Sequence, residues 1–147
     1  MSSTFSIDLN WKRTNEFSYE TFSRNHTISY SGDQSLKSSA AAEYLGDPNA
    51  ANPEELIASA LSSCHMLTFL VIASKSGYIV DSYLDHATAT LDKNEEGKVA
   101  ITVIDLKPVV VFSGAKNPDE AQLKSLHEKA HRNCFIANSI KTKVNIL

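Results

Sequence analysis

Residues 52–77, NPEELIASALSSCHMLTFLVIASKSG, constrain this chain more than any other stretch. They read as one long helix with both ends marked. Asn52 can cap it, Pro53 fits the first helical position, and Glu55 stands three residues after the cap. Glu54 and Glu55 suit the positive end of the helix dipole, Lys75 suits the negative end, and Gly77 can take the left-handed conformation that stops a helix. At 1.5 Å per residue the helix is roughly 36 Å long. Leu56, Ala60, Cys64, Leu67 and Val71 form one stripe, and Ala58, Leu61, Met66, Phe69, Ile72 and Ala73 make the other faces apolar too. A helix apolar nearly all round is buried inside a domain or between subunits. Halfway along it lies a thiol, Cys64, followed by His65.

Around that helix, 147 residues are enough for one domain, residues 1–147, with a sizeable core. A formal charge of −3 and a pI near 5.9 leave no basic footprint for nucleic acid. The opening MSSTFSIDLNW lacks a basic region followed by a long apolar run, so no secretory signal is expected. Ser, His, Thr and Lys interrupt the long helix, and the expectation is that it does not span a membrane. Two cysteines without a signal suit a reducing cytoplasm, where a disulfide is transient.

Periodicity assigns the remaining elements. Phe5, Ile7, Leu9 and Trp11 alternate with polar residues, which predicts a strand over 5–12. Phe17 and Tyr19, then His26, Ile28 and Tyr30, alternate again, giving two or three antiparallel strands before Gly32. Residues 33–51 show little periodicity and read as a long loop, with or without a short helix through Ala40 to Tyr44. Residues 79–91 are β-like, 93–97 turn, and 98–106 return as a hairpin strand. Another strand follows Pro108. Asn117-Pro118-Asp119-Glu120 opens a second helix, with Leu123, Leu126 and Ala130 buried, that ends near Cys134; Val144 and Ile146 mark a last strand. The class is α+β, antiparallel sheet packed on helices.

A cysteine in an apolar helix is by default a small buried hydrophobe. The residues around both thiols say more. NPEELIASALSSC, with Glu54 ten residues before Cys64, and CFIANSIKTKVNI, a second cysteine between a helix and a closing strand, resemble the OsmC/Ohr family of thiol peroxidases. CHMLTFL and AHRNCFIANS resemble a sub-branch of it. In the best-known members proline commonly follows the second cysteine, and phenylalanine the first; here Phe135 and His65 stand there.

The resemblance implies an OsmC-like fold, with antiparallel sheets wrapped around a long central helix in an intertwined homodimer. It implies reduction of organic hydroperoxides, and sometimes hydrogen peroxide, without metal or organic cofactor. Cys64 would become a sulfenic acid, Cys134 would condense with it to a disulfide, and a dihydrolipoyl-type or other dithiol would restore the pair. In the family an arginine from the N-terminal strands supports the thiolate and is held by the glutamate matching Glu54. Arg24 fits best and Arg13 second among three arginines. His26 and His65 are the candidate substrate-binding residues.

Cys64 lies beyond the first turn of its helix, where the dipole acts, so its thiolate needs other support. Glu54 and Cys64 are roughly 15 Å apart along a straight helix. A break, a long arginine, or residues of a second subunit would have to join them. Two other readings stand beside the peroxidase. His127, His131 and Cys134 share a helical face, and with Cys64 and His65 they are zinc-ligand types, though without paired CxxC or HExxH spacing. Alternatively, a protein of this fold binds an apolar ligand without catalysis, since fold alone does not fix function.

Overall fold

The computed structural model describes residues 1–147, which fall into two compact units, 1–56 and 57–147. In the first, β1 (Asp8–Asn10), β2 (His26–Ser29) and β3 (Ser35–Ser38) form an antiparallel sheet in that order, with Leu9 opposite Ile28 and Ile28 opposite Leu36. The strand expected over 5–12 shrinks to three residues, and the one expected around Phe17 and Tyr19 is a turn in which the Thr21 and Phe22 N–H groups return to the Ser18 carbonyl. The aromatic alternation there builds a side-chain cluster instead. Phe17 lies 6.1 Å from Trp11 and 5.3 Å from Phe22, and the Trp11 indole donates to the Ser23 carbonyl at 2.7 Å.

β3 lies within the stretch expected to be loop. Its sequence, SLKS, carries one apolar residue, so no alternation announces it. The ladder to β2 and the Ser38 hydroxyl, which donates to the Ala51 carbonyl at 2.7 Å, hold it in place. Beyond it a 3-10 turn (Ala42–Tyr44) occupies the place of the short helix considered above. Gly46 follows, where a Cβ would run into the Ala40 backbone, so only glycine fits.

α1 (Pro53–Lys75) is the long helix. The Asn52 side chain accepts from the Glu55 N–H at 2.9 Å, and the chain leaves through Gly77 at φ +83°, with the Tyr78 N–H returning to the Ala73 carbonyl. Its buried line is Ala58, Leu61, His65, Phe69 and Ala73. The stripe singled out from the sequence is therefore the wrong one for packing within the chain: Leu67 is 57% and Val71 53% exposed. With apolar residues on every side, hydropathy did not distinguish the faces. By length and composition alone α1 is apolar enough to cross a bilayer, a test that a core helix also passes. Its buried line packs on protein instead.

In the second unit, β4 (Ile79–Leu84) pairs antiparallel with β7 (Val109–Ser113). β5 (Thr88–Lys93) and β6 (Val99–Leu106) form the expected hairpin. The β-like run 79–91 thus divides between two sheets, parted at Asp85-His86-Ala87. β8 (Lys143–Ile146) joins β6 in parallel, a departure from an all-antiparallel expectation, with Ile104 opposite Val144. α2 (Glu120–Asn133) starts later than Asn117-Pro118 suggested, because Asp119 is the cap. Asp119 accepts from the Gln122 N–H at 2.7 Å and the Gln122 side chain accepts from the Asp119 N–H at 3.0 Å, a reciprocal box.

Two core clusters share α1. Leu61 meets Ile104, Leu106 and Cys134, and Phe69 and Ala73 meet Leu126 and Ala130 of α2. The two cysteines lie at the first cluster, Cys134 within it and Cys64 against it.

Candidate active site

Cys64 is carried on α1 three residues after Leu61, half-buried, and Cys134 is the fully buried residue that ends α2. At Cys134 the backbone turns extended, with φ −73° and ψ 117°, and the helix cannot continue. Neither cysteine is in a disulfide. Their electrostatics differ in sign. Burial pushes the Cys64 thiol up, but the backbone at Ile136 and Phe135 and the Cys134 and Thr68 side chains outweigh it, and its pKa is lowered. The Thr68 hydroxyl donates to the Cys64 carbonyl at 2.8 Å. Cys134 goes the other way. Burial raises its pKa, and the neighbouring Cys64 sulfur raises it further, despite the Ala137 N–H donating to its Sγ at 3.4 Å. Of the two neighbouring thiols, Cys64 is therefore the one that ionises more readily and Cys134 the one that holds its proton longer.

Sequence reasoning expected an arginine to support Cys64; the part that the backbone after Cys134 plays in lowering its pKa has no signature in residue type.

Arg24 lies in the first unit. Its guanidinium donates to the Phe22 carbonyl at 2.7 Å and the Tyr19 carbonyl at 2.6 Å, and lies over the Phe22 ring at 3.7 Å. His26 is beside it, donating from Nδ1 to the Arg24 carbonyl at 2.8 Å. Arg13 donates to the Asn15 carbonyl at 3.1 Å. Neither arginine is ion-paired with Glu54, whose Oε2 is buried without a partner. α1 runs unbroken over Pro53–Lys75, which removes a break between Glu54 and Cys64.

His65 is 1% exposed and its Nε2 lies 3.0 Å from Nδ1 of His127, the rings stacked at 5.3 Å. Burial, then the His127 and His131 charges, push the His65 pKa down to about 4, against an opposing pull from Asp85. Burial also lowers His127. The Nδ1 atom of His131 is buried with no hydrogen-bond partner. Asp85 accepts from the Ser62 hydroxyl and, at 2.7 Å, from the Lys107 N–H. The zinc reading fails on geometry: no three His, Cys, Asp or Glu side chains converge on a point a metal ion can occupy. His65 and His127 bond to each other instead.

An open groove of about 720 Å³ lies beside the thiol cluster, with Ile57, Ile101 and Ile140 giving it apolar walls and Lys93, Lys141 and Lys143 at its margin. Ile101 and Ile140 also pack on the cluster that holds Cys134.

Comparison with known proteins now bears on these features. The family model for OsmC-like protein matches residues 46–147. Peroxiredoxin OsmC of Escherichia coli is 30% identical over 95 residues, covering 65% of this chain and 64% of that protein, so the match spans less than two thirds of the relative. A solved OsmC-like protein of unknown function from Vibrio cholerae superposes with a TM-score of 0.93 at 41% identity, covering 99% of both chains. An organic hydroperoxide resistance protein from Elizabethkingia anophelis, crystallised with thiocyanate, superposes with a TM-score of 0.70 at 17% identity, over 99% of this chain and 95% of that one, which speaks to fold alone. With the family model matching from Gly46 to the last residue and the α+β fold superposing end to end on an OsmC-like structure, this chain belongs to the OsmC-like protein family.

Proposed function

We propose that this protein is a thiol-dependent peroxidase that reduces organic hydroperoxides in defence against oxidative stress in the cytoplasm. The observation that carries the reading is the thiol pair itself, Cys64 packed against the cluster that holds Cys134, with the first pKa lowered and the second raised. A peroxidatic sulfur must be a thiolate, and of two neighbouring thiols the one with the lower pKa supplies it more readily. The Cys64 thiolate attacks one peroxide oxygen, the O–O bond breaks, and the alkoxide leaves and takes a proton. Cys134, losing its proton, then attacks the Cys64 sulfenic sulfur and water departs, leaving a disulfide. A dihydrolipoyl-type or other dithiol reduces it. The chemistry balances without metal or organic cofactor. The groove beside the pair offers apolar walls to the organic part of such a peroxide.

The finer assignments extend the family resemblance. Arg24 and Glu54 support the thiolate, and the orphaned Glu54 Oε2 is a buried acceptor suited to a guanidinium. Arg13 is the alternative cation. His26 and His65 are assigned to the substrate side. The chain acts as one OsmC-like domain in an intertwined homodimer. The test is rapid addition of one equivalent of cumene hydroperoxide to reduced protein, followed by intact mass and free-thiol counting. Loss of two hydrogens and of both thiols is expected. Persistence of both thiols under excess peroxide sinks the reading.

A further inference from the structure

Leu61, His65 and Phe69 follow one another along the buried side of α1. Leu61 packs in the cluster that holds Cys134, and Phe69 packs in the cluster that holds Leu126 and Ala130 of α2. Between these two apolar contacts stands a polar one. His65 Nε2 lies 3.0 Å from Nδ1 of His127 on α2, and the His127 ring also lies 4.4 Å from that of Phe69. Both imidazoles are buried. His65 directly follows Cys64, and α2 runs on from His127 to end at Cys134. The bond therefore joins the two helices that carry the two thiols.

We propose that His127 is a positioning residue: its bond to His65 fixes the register of α2 against α1, and with it the approach of Cys134 to the Cys64 sulfur. Apolar packing is not directional, so Phe69, Leu126 and Ala130 alone permit small slides of one helix along the other. A hydrogen bond between ring nitrogens weakens steeply as its length or angle drifts. In a neutral pair one ring donates and the other accepts, and burial makes it costly to leave either unpaired. The best-attested use of such a buried polar contact is to set register rather than to add stability. The register matters when Cys64 carries a leaving group. The Cys134 thiol then gives up its proton, its sulfur bonds to the Cys64 sulfur, and the leaving group departs with the electron pair of the broken bond. From a sulfenic acid hydroxide leaves and takes the proton as water; from a mixed disulfide with glutathione the thiolate leaves and takes it as the thiol. The first case rests on the peroxidase reading, and the second does not.

The test uses the second case. Reduced protein is equilibrated at pH 7 with mixtures of reduced and oxidised glutathione and quenched by alkylation, and the Cys64–Cys134 disulfide is counted by intact mass. His127→Phe keeps a ring against Phe69 and loses the bond, whereas His127→Asn keeps a polar atom close to the place of Nδ1. Asp119→Ala weakens α2 at its cap and leaves the imidazole pair intact, so it reports what loss of stability alone does. Circular dichroism confirms folding of each. In His127→Phe the equilibrium constant for closing the disulfide is expected to fall roughly tenfold, the weight of one hydrogen bond, or about 30 mV in potential. His127→Asn and Asp119→Ala are expected to track the parent. Should His127→Phe fail to fold, His127→Leu decides on the same readout. The proposal is overturned by a parent that forms no Cys64–Cys134 disulfide, or by a His127→Phe chain that tracks the parent. It is overturned equally if His127→Asn or Asp119→Ala shifts as far as His127→Phe. Cumene hydroperoxide is then added to the same reduced chains. A parent that closes the disulfide with glutathione but consumes no peroxide would keep the positioning role and reject the peroxidase reading alone.

Discussion

At the scale of single residues, Cys64 and Cys134 are separated by what each sulfur accepts and donates. Cys64→Ser is expected to abolish peroxide turnover. Cys134→Ser is expected to consume one equivalent and stop, leaving a sulfenic acid that dimedone traps. Turnover retained in Cys64→Ser, or no trappable adduct in Cys134→Ser, would reverse or dissolve the roles. The positions of both thiols were legible from their flanking residues. Their unequal surroundings were not, because these depend on which elements the fold brings against each sulfur.

The buried imidazole pair belongs to the same scale. His65 has a folded pKa near 4, below its unfolded value of roughly 6.5. A depressed histidine binds its proton in the unfolded chain first. Stability is therefore whole above about pH 6.5, falls as pH drops from there toward 4, and then levels, a loss on the order of 3 kcal/mol. Urea unfolding at pH 7 and pH 4.5 measures it. His65→Phe is expected to flatten part of that dependence; an unchanged slope assigns the acid loss to other groups. His127, bonded to His65 and also lowered, contributes in the same direction.

At the scale of elements, the sequence read best where capping chemistry is local. Asn52 and Gly77 marked α1 correctly, and proline followed by acids pointed to α2 within a turn of its true start. It read worst where an element depends on a distant partner. β3 exists because β2 lies beside it, and β8 runs parallel because it pairs with β6, which adjacent residues do not encode. Two predictions separate these kinds of support. Asp119→Ala removes the reciprocal cap of α2 and is expected to cost about 1 kcal/mol in equilibrium unfolding. Phe69→Ala empties the fully buried centre where α1 meets α2, with the Tyr83 ring 5.6 Å away, and is expected to cost about 3–5 kcal/mol. Equal losses in the two variants would mean that the α1–α2 packing is less tight than the contacts describe.

At the scale of the whole molecule, the outward faces remain to be explained. Leu67 and Val71 stand on α1 one turn apart, each more than half exposed, and Ile79, Leu84, Val109 and Val111 are exposed along the β4–β7 sheet. Phe5, Ile7 and Leu9 are exposed in the first unit. Isolated exposed apolar residues are ordinary, but a helix apolar on its buried and its outer side is not. The proposed homodimer accounts for it: a second copy of α1 covers Leu67 and Val71, and folding and association become inseparable. Under that reading, sedimentation at low micromolar concentration finds no folded monomer. The parent's unfolding temperature is then expected to rise with protein concentration, and the double substitution Leu67→Glu, Val71→Glu to lower it steeply. If instead those residues face solvent in solution, each exchange lies within about 0.5 kcal/mol, as exposed substitutions usually do. A double variant that sediments like the parent and melts at the parent's temperature would then place the apolar face of α1 in water and reject the dimer built on it.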